Sequence, residues 1–179
     1  MIYSAITGKF DKARKDIKVF KAYNQFKDQR RNAKIYKVLS HLYDKDKYSV
    51  WVDGNIYLKH PIEYFIELLG DADIACFPHP ERVDLYQEAM FCKMFNKDTT
   101  SVINKQVRRY KGITGLWACG VIIRRHTDEI KWRNEQWWAE ICAGSMRDQI
   151  SFPYVFGDIV KTLPAVNLKD NKYFKRYGH

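Results

Sequence analysis

Apolar positions along the chain follow two rhythms. Short continuous or alternating runs, IYSAI (2–6), IKVF (17–20), YSVWV (48–52), DIACF (73–77) and LWACGVIIR (116–124), have the β-branched and aromatic content of strands. YSVWV is almost continuously apolar, as expected of a strand covered on both faces. Other segments repeat at helical spacing. Residues 28–43, DQRRNAKIYKVLSHLY, place Ile35, Val38, Leu39 and Leu42 on one stripe and predict a basic amphipathic helix. PIEYFIELL (61–69) opens on a proline suited to the start of a helix. RVDLYQEAMFCKMF and TTSVINKQVRRYK carry helical patterning up to Gly112. In TDEIKWRNEQWWAEICA (127–143), Thr127 can cap the helix, with Asp128 and Glu129 complementing the dipole in its first turn. Strands and helices therefore alternate, which predicts one α/β domain over 1–179 with a mainly parallel central sheet flanked by helices. Ligands of such sheets sit beyond the carboxyl ends of the strands. That directs attention to Thr7-Gly8, Asp53-Gly54-Asn55, Pro78-His79 and the segment around Gly120.

Composition narrows the class. A chain of 179 residues suits a single domain that buries about two-thirds of its unfolded surface. Twelve Tyr and five Trp imply clefts or interfaces as well as core, because each joins an apolar body to a polar tip. No stretch approaches the roughly 18 consecutive apolar residues of a membrane span, and the opening MIYSAITG lacks the charged and apolar regions of a secretory signal. The expectation is a cytoplasmic protein with no transmembrane segment. Cys76, Cys92, Cys119 and Cys142 are widely spaced with no Cys-x-x-Cys pair, which reads as buried reduced thiols rather than a zinc site. The net charge of +10 is concentrated between Lys9 and Lys47, where 13 Lys and Arg face 5 Asp and Glu. That field either attracts polyanions or phosphorylated small molecules, or is a solvated face.

Motif chemistry removes several enzyme classes. There is no P-loop, no Gly-x-Gly-x-x-Gly, no Gly-x-Ser-x-Gly elbow and no zinc-protease signature. Asp53-Gly54-Asn55 has two readings: a hairpin turn between β-rich runs, or a hard-cation site in which oxygen ligands share Mg²⁺ or Mn²⁺ with substrate phosphates. In SMRDQISFPY (145–154), Arg147, Asp148 and Gln149 are consecutive polar groups where a plain loop would use Gly, Ser or Asn. A carboxylate and an amide suit sugar hydroxyls, although a capping Asp with a paired Arg would look the same. His79 and His126 lie where strands should end.

In order along the chain, DQRRNAKIYKVLSHLYDKDKYSVWVDGNIYLKHP, ACGVIIRRHT, NEQWWAEICAGSMRDQISFPYVF and the closing YGH resemble the plant and bacterial glycosyltransferase-like domain family that includes mucilage-related and turgor-regulation-defect proteins. The order of elements is also similar to that of family-eight glycosyltransferases with a GT-A, Rossmann-like fold. The resemblance implies that Asp53 and Asn55 stand in for an Asp-x-Asp motif binding Mn²⁺ or Mg²⁺ and the nucleotide diphosphate, with Asn55 a departure from the second Asp. It implies that Ala118, Cys119 and Gly120 line the sugar site, and that Asp148 and Gln149, with Arg147 beside them, hold the donor sugar as the catalytic pair. Thr7, Gly8 and Phe10 would lie near the base and ribose, Arg31 and Lys34 near the nucleotide sugar or its diphosphate, and His179 would be a further metal ligand.

The implied reaction is metal-dependent transfer of a sugar from a nucleotide-sugar to an acceptor hydroxyl on a glycan or glycoconjugate, by analogy through a retaining front-face route. The basic charge also admits a nucleic acid acceptor, such as a hydroxylated DNA base. The rival from another class is a non-catalytic nucleic-acid-binding module built on the basic helix and exposed aromatics.

Overall fold

The computed structural model describes residues 1–8, 11 and 14–178. In chain order its elements are β1 (Ile2–Ala5), β2 (Lys18–Phe20), α1 (Gln29–Val38), α2 (Ser40–Tyr43), β3 (Tyr48–Val52), β4 (Ile56–Leu58), α3 (Ile62–Leu69), β5 (Ile74–Pro78), α4 (Leu85–Met94), α5 (Thr100–Arg109), β6 (Trp117–Arg125), α6 (Asp128–Ala143), α7 (Asp148–Phe156), β7 (Lys161–Thr162) and β8 (Phe174–Arg176). Among the described residues a central sheet of six strands has the order β2-β1-β3-β6-β5-β7. Five of these strands run one way, and β6 alone runs against its neighbours β3 and β5. The expected mixed α/β architecture with a mostly parallel sheet is therefore present, and its one reversed strand is the apolar run at 116–124.

Alternation along β3 explains the layers. Trp51 packs with Tyr3, Ile122, Trp137 and Phe152 on one face of the sheet, while Val50 and Val52 pack with Phe65, Leu69 and Ile123 on the other. Helices α1, α6 and α7 cover the first face and α3 the second. A third cluster joins α4 and α5 to Ile150 of α7. Each fully buried aliphatic or Phe side chain here contributes about 1.5–3 kcal/mol, so the center of the sheet is well packed next to the cleft.

Three local expectations change. The helix expected over 28–43 is broken at Leu39 (φ −90°, ψ 46°). The break turns Ser40 inward, with its Oγ 3.2 Å from Nε2 of His126, and leaves Leu42 half exposed instead of on the apolar stripe. The same His126 nitrogen lies 2.9 Å from Ser49 Oγ, so two hydroxyls hold the histidine that the sequence places at a strand end. At Asp53-Gly54-Asn55 the turn forms, with Ile56 N donating to Asp53 O at 2.9 Å. It is not a hairpin, because β4 leaves the main sheet and pairs antiparallel with β8. Thr127 caps α6 as expected, accepting from Ile130 N. Cys76, Cys92 and Cys119 are buried, but Cys142 is exposed at the end of α6. No helix among the described residues is long and apolar enough to cross a membrane.

Candidate active site

The cleft opens where the parallel strands end. Its volume is about 870 Å³, and it is bounded by the end of β3, the first half of β6, α1, the start of α7, the loop after β5 and the tail before and within β8. An irregularity in the sheet makes room for it. Cys76 of β5 pairs with Ile122, but Phe77 pairs with Ala118, so β6 bulges away from β5 over residues 119–121. Bulges of this kind re-aim the chain at functional edges. Gly120 O accepts from Asp53 N at 2.8 Å, and a Cβ on Gly120 would lie 2.9 Å from Ile56 Cδ1 and 3.3 Å from Asp53 Oδ2. The missing side chain lets the Asp53 carboxylate lie over the bulge. Trp51, two residues earlier on the same face of β3, steadies that carboxylate by donating from Nε1 to Oδ1 at 3.0 Å.

Across the cleft, α7 begins with Asp148 in its first turn, where the helix dipole favors a negative charge. Lys34 and Lys37 are three apart on α1 and so share a face. Lys34 Nζ lies 2.7 Å from Asp148 Oδ1, and Lys37 Nζ lies 2.5 Å from Asp148 Oδ2 and 3.4 Å from Asp53 Oδ1. The result is an alternating chain of charges, Lys34, Asp148, Lys37, Asp53. Burial by itself would raise the pKa of Asp148, but the two ammonium groups hold it well below the usual carboxylate range. Burial also opposes the charge on Lys37, yet Asp148 and Asp53 keep its pKa above the ordinary lysine value. For Lys34 burial wins, aided by Lys37 and Arg147, and its pKa is lowered despite Asp148. Asp148 is therefore held as an anion that organizes two cations, and it is a poor general base. Arg124, fully buried beneath, donates to the backbone oxygen of Lys37 at 2.7 Å and fixes that part of α1.

The remaining expected residues divide by position. Ala118, Cys119, Gly120, Arg147, Asp148, Gln149, Lys34 and Asp53 all line the cleft. Gln149 Nε2 donates to Trp117 O at 3.2 Å, tying α7 to β6. Burial pushes the Cys119 thiol well above its usual pKa, so it is an inert wall. Thr7 and Gly8 stand at the end of β1 outside the cleft lining, and Thr7 Oγ1 donates to Gln29 O at 2.6 Å. Arg31 also stays outside: its guanidinium lies 5.3 Å over the Phe26 ring, and the phase of α1 brings Arg30 to the cleft in its place. Asn55 is buried, donates from Nδ2 to Tyr177 O at 2.9 Å, and its backbone oxygen accepts from Tyr177 N. That amide holds the C-terminal tail against the turn. Phe10 and His179 lie outside the described residues.

A divalent cation fits this geometry through Asp53. Its carboxylate is 38% exposed at the cleft, and small hard cations commonly take one or two carboxylates and complete their shell with substrate phosphates. Among the described residues no cluster of three or more His, Cys, Asp or Glu forms a self-sufficient metal site. The sequence reading missed Lys37, Trp51 and Arg30. A lysine three residues after Lys34, beside the apolar stripe of α1, was the available signal for Lys37; nothing local marks Trp51 as the residue that steadies Asp53.

The fold and cleft define an α/β protein whose sheet edge is built around fixed charges. In comparison with known families, residues 12–177 match the TOD1/MUCI70 glycosyltransferase-like domain, and the chain belongs to that family. Among solved structures it is similar to the apo crystal structure of mouse xyloside xylosyltransferase 1, at 16% identity and a TM-score of 0.44 over 74% of this chain. The chain spans 50% of the length of that protein's chain. A search of curated proteins finds no match.

Proposed function

We propose that the domain transfers a sugar from a nucleotide-sugar donor to a hydroxyl of a glycan or glycoconjugate. The observation that carries this reading is the Lys34–Asp148–Lys37–Asp53 chain at the carboxyl edge of the sheet, in a chain that belongs to a glycosyltransferase-like family. A leaving diphosphate gains negative charge as the glycosidic bond breaks, and preoriented cations in a water-poor site stabilize that charge more than they stabilize the ground state. Lys34 suits this role because its one carboxylate partner does not fully offset its burial. A bound phosphate would supply the missing counter-charge.

Mn²⁺ or Mg²⁺ held by Asp53, with His179 as a second ligand, would act as a Lewis acid on the diphosphate. Asn55 serves the tail in this reading and is not a ligand. Asp148 is locked between two lysines, and Glu81 sits at the exposed rim, so neither is placed as a base or nucleophile. The route that fits is front-face: the bond from the anomeric carbon to the phosphate oxygen breaks, the bond to the acceptor oxygen forms on the same face, and the acceptor proton passes to the departing phosphate oxygen.

The basic segment gives little support to a nucleic-acid interface. Arg14 and Lys37 have 1% and 5% side-chain exposure, so part of that charge is structural and faces inward. A screen of nucleotide-sugars by thermal shift and donor hydrolysis, with and without Mn²⁺, tests the proposal. One donor should raise the melting temperature and be slowly hydrolyzed with metal, and Asp53→Ala should abolish both while keeping the native circular dichroism. No response to any nucleotide-sugar in Mn²⁺ would overturn it.

A further inference from the structure

Outside the Lys34–Asp148–Lys37–Asp53 group, whose charges cancel, the cleft remains strongly basic. Six further Lys and Arg, Arg30, Arg82, Lys97, Arg147, Lys169 and Arg176, line it against one further carboxylate, Glu81. A nucleotide-sugar's diphosphate brings about two negative charges and its divalent cation about two positive ones, so a bound donor leaves the surplus in place. Part of that surplus, Lys169 and Arg176, belongs to the tail. Arg30 stands on α1, paired with Asp28 at 2.8 Å, and the remaining three, Arg82, Lys97 and Arg147, lie on the wall formed by the two ends of α4 and the start of α7, around a carboxylate with no part in the chemistry above.

That carboxylate is Glu88, fully buried on α4. Its Oε2 accepts from Arg82 Nε at 2.7 Å, and its Oε1 lies 3.7 Å from Arg147 Nη2. One buried anion thus orients two guanidinium groups that both line the cleft. Arg82 is fixed further by the Phe91 ring 4.1 Å beneath it, by Glu81 Oε2 3.4 Å from Nη1, and by His79, whose Nε2 accepts from Arg82 Nη2 at 2.7 Å. Burial, and then the neighboring Arg82, lower the pKa of His79, so its ring adds no positive charge at neutral pH. Each guanidinium has five N–H donors, more than these contacts occupy. Lys97 lines the same wall and makes no ion pair among the described residues.

We infer that this wall is an acceptor site for an anionic saccharide, one carrying a carboxylate or phosphate group that Arg82 and Lys97 bind, with Glu88 as the positioning residue. The inference rests on the glycosyltransferase reading and adds the acceptor's chemical class to it. A planar guanidinium held in one orientation matches both carboxylate and phosphate by paired hydrogen bonds.

Three acceptors of equal length test it: a neutral oligosaccharide, its uronic acid counterpart and a phosphorylated one. Transfer should favor at least one acidic acceptor, and which one identifies the group. Lys97→Gln, at a site with no buried partner to strand, and Arg82→Lys, which keeps a cation beside Glu88 but loses the planar fork, should each raise KM for that acceptor about tenfold, the loss of one charged hydrogen bond. KM for the neutral acceptor and donor hydrolysis without acceptor should be unchanged. Donor turnover with no preference for acidic acceptors, or equal loss of donor hydrolysis in Lys97→Gln, would overturn this inference and leave sugar transfer standing. Duplex DNA outcompeting every saccharide would also overturn it. Absence of donor turnover in the unmodified protein would remove both readings together.

Discussion

Asp148 shows what one buried carboxylate does when two lysines share it. With 6% side-chain exposure and ammonium groups at 2.7 and 2.5 Å, it stays ionized far into acid. Asp148→Asn would leave Lys34 and Lys37 without their shared counterion, and removing one partner from a buried pair costs about 3–5 kcal/mol. Urea denaturation should show that loss at neutral pH. The sign follows from the lowered pKa in the folded state. The stabilization is complete above the unfolded carboxylate value of about 4 and is lost only as pH falls through the lower folded value. The gap between native and variant stability should therefore persist from pH 7 down to about 4 and close below it. A gap that closes between pH 7 and 5 would show that Asp148 is not held as an anion by the two lysines.

At the scale of elements, the bulge of β6 matters more than any single contact in it. Three residues, 119–121, leave the β5 register and bring Gly120 O to Asp53 N. Gly120→Ala places a methyl group 3.3 Å from Asp53 Oδ2 and 2.9 Å from the mobile end of Ile56. Ile56 can yield by rotation, so stability should fall by about 1 kcal/mol or less. Asp53 has to shift, and donor hydrolysis should fall about tenfold to a hundredfold, as for small misplacements of positioning groups. Parallel measurements of melting temperature and hydrolysis check this. Unchanged hydrolysis would mean that the aspartate's position over the glycine is irrelevant. The break at Leu39 acts on the same scale, because it ends α1 just after Lys37 and commits Ser40 to the His126 contact.

Across the whole molecule, the tail closes the cleft from the far end of the sequence. Strand β8 pairs with β4, Lys59 Nζ lies 2.6 Å from Asp170 Oδ1, and Asn55 anchors Tyr177. An Asp-x-Asp motif would make Asn55→Asp an improvement to the metal site. The fold predicts the reverse: the variant loses the N–H that Tyr177 O accepts and sets a carboxylate against that carbonyl, at a cost of about 1–3 kcal/mol. Limited proteolysis should cut the tail faster, and KM for the donor should rise. Tighter Mn²⁺ binding with an equally protected tail would return Asn55 to the metal.

Much of this was legible in the chain. Alternation along YSVWV, helical spacing in α3 and α6 and the Thr127 cap are local properties, set by side-chain size and polarity within a few residues. Those patterns determined most of the elements, the α/β class and the sheet edge at Asp53 and Gly120, whereas the Arg147–Gln149 segment was joined to that edge only through the family resemblance. Only the tertiary structure decided that β6 runs backward, that Asp53-Gly54-Asn55 is a turn between two sheets, that Arg30 rather than Arg31 enters the cleft, and that Lys34 finds a partner 114 residues away in Asp148. The reason is physical. Local patterning states which face of an element is buried, whereas which charges become neighbors depends on strand order, helix phase and bulges that the packed core selects as a unit.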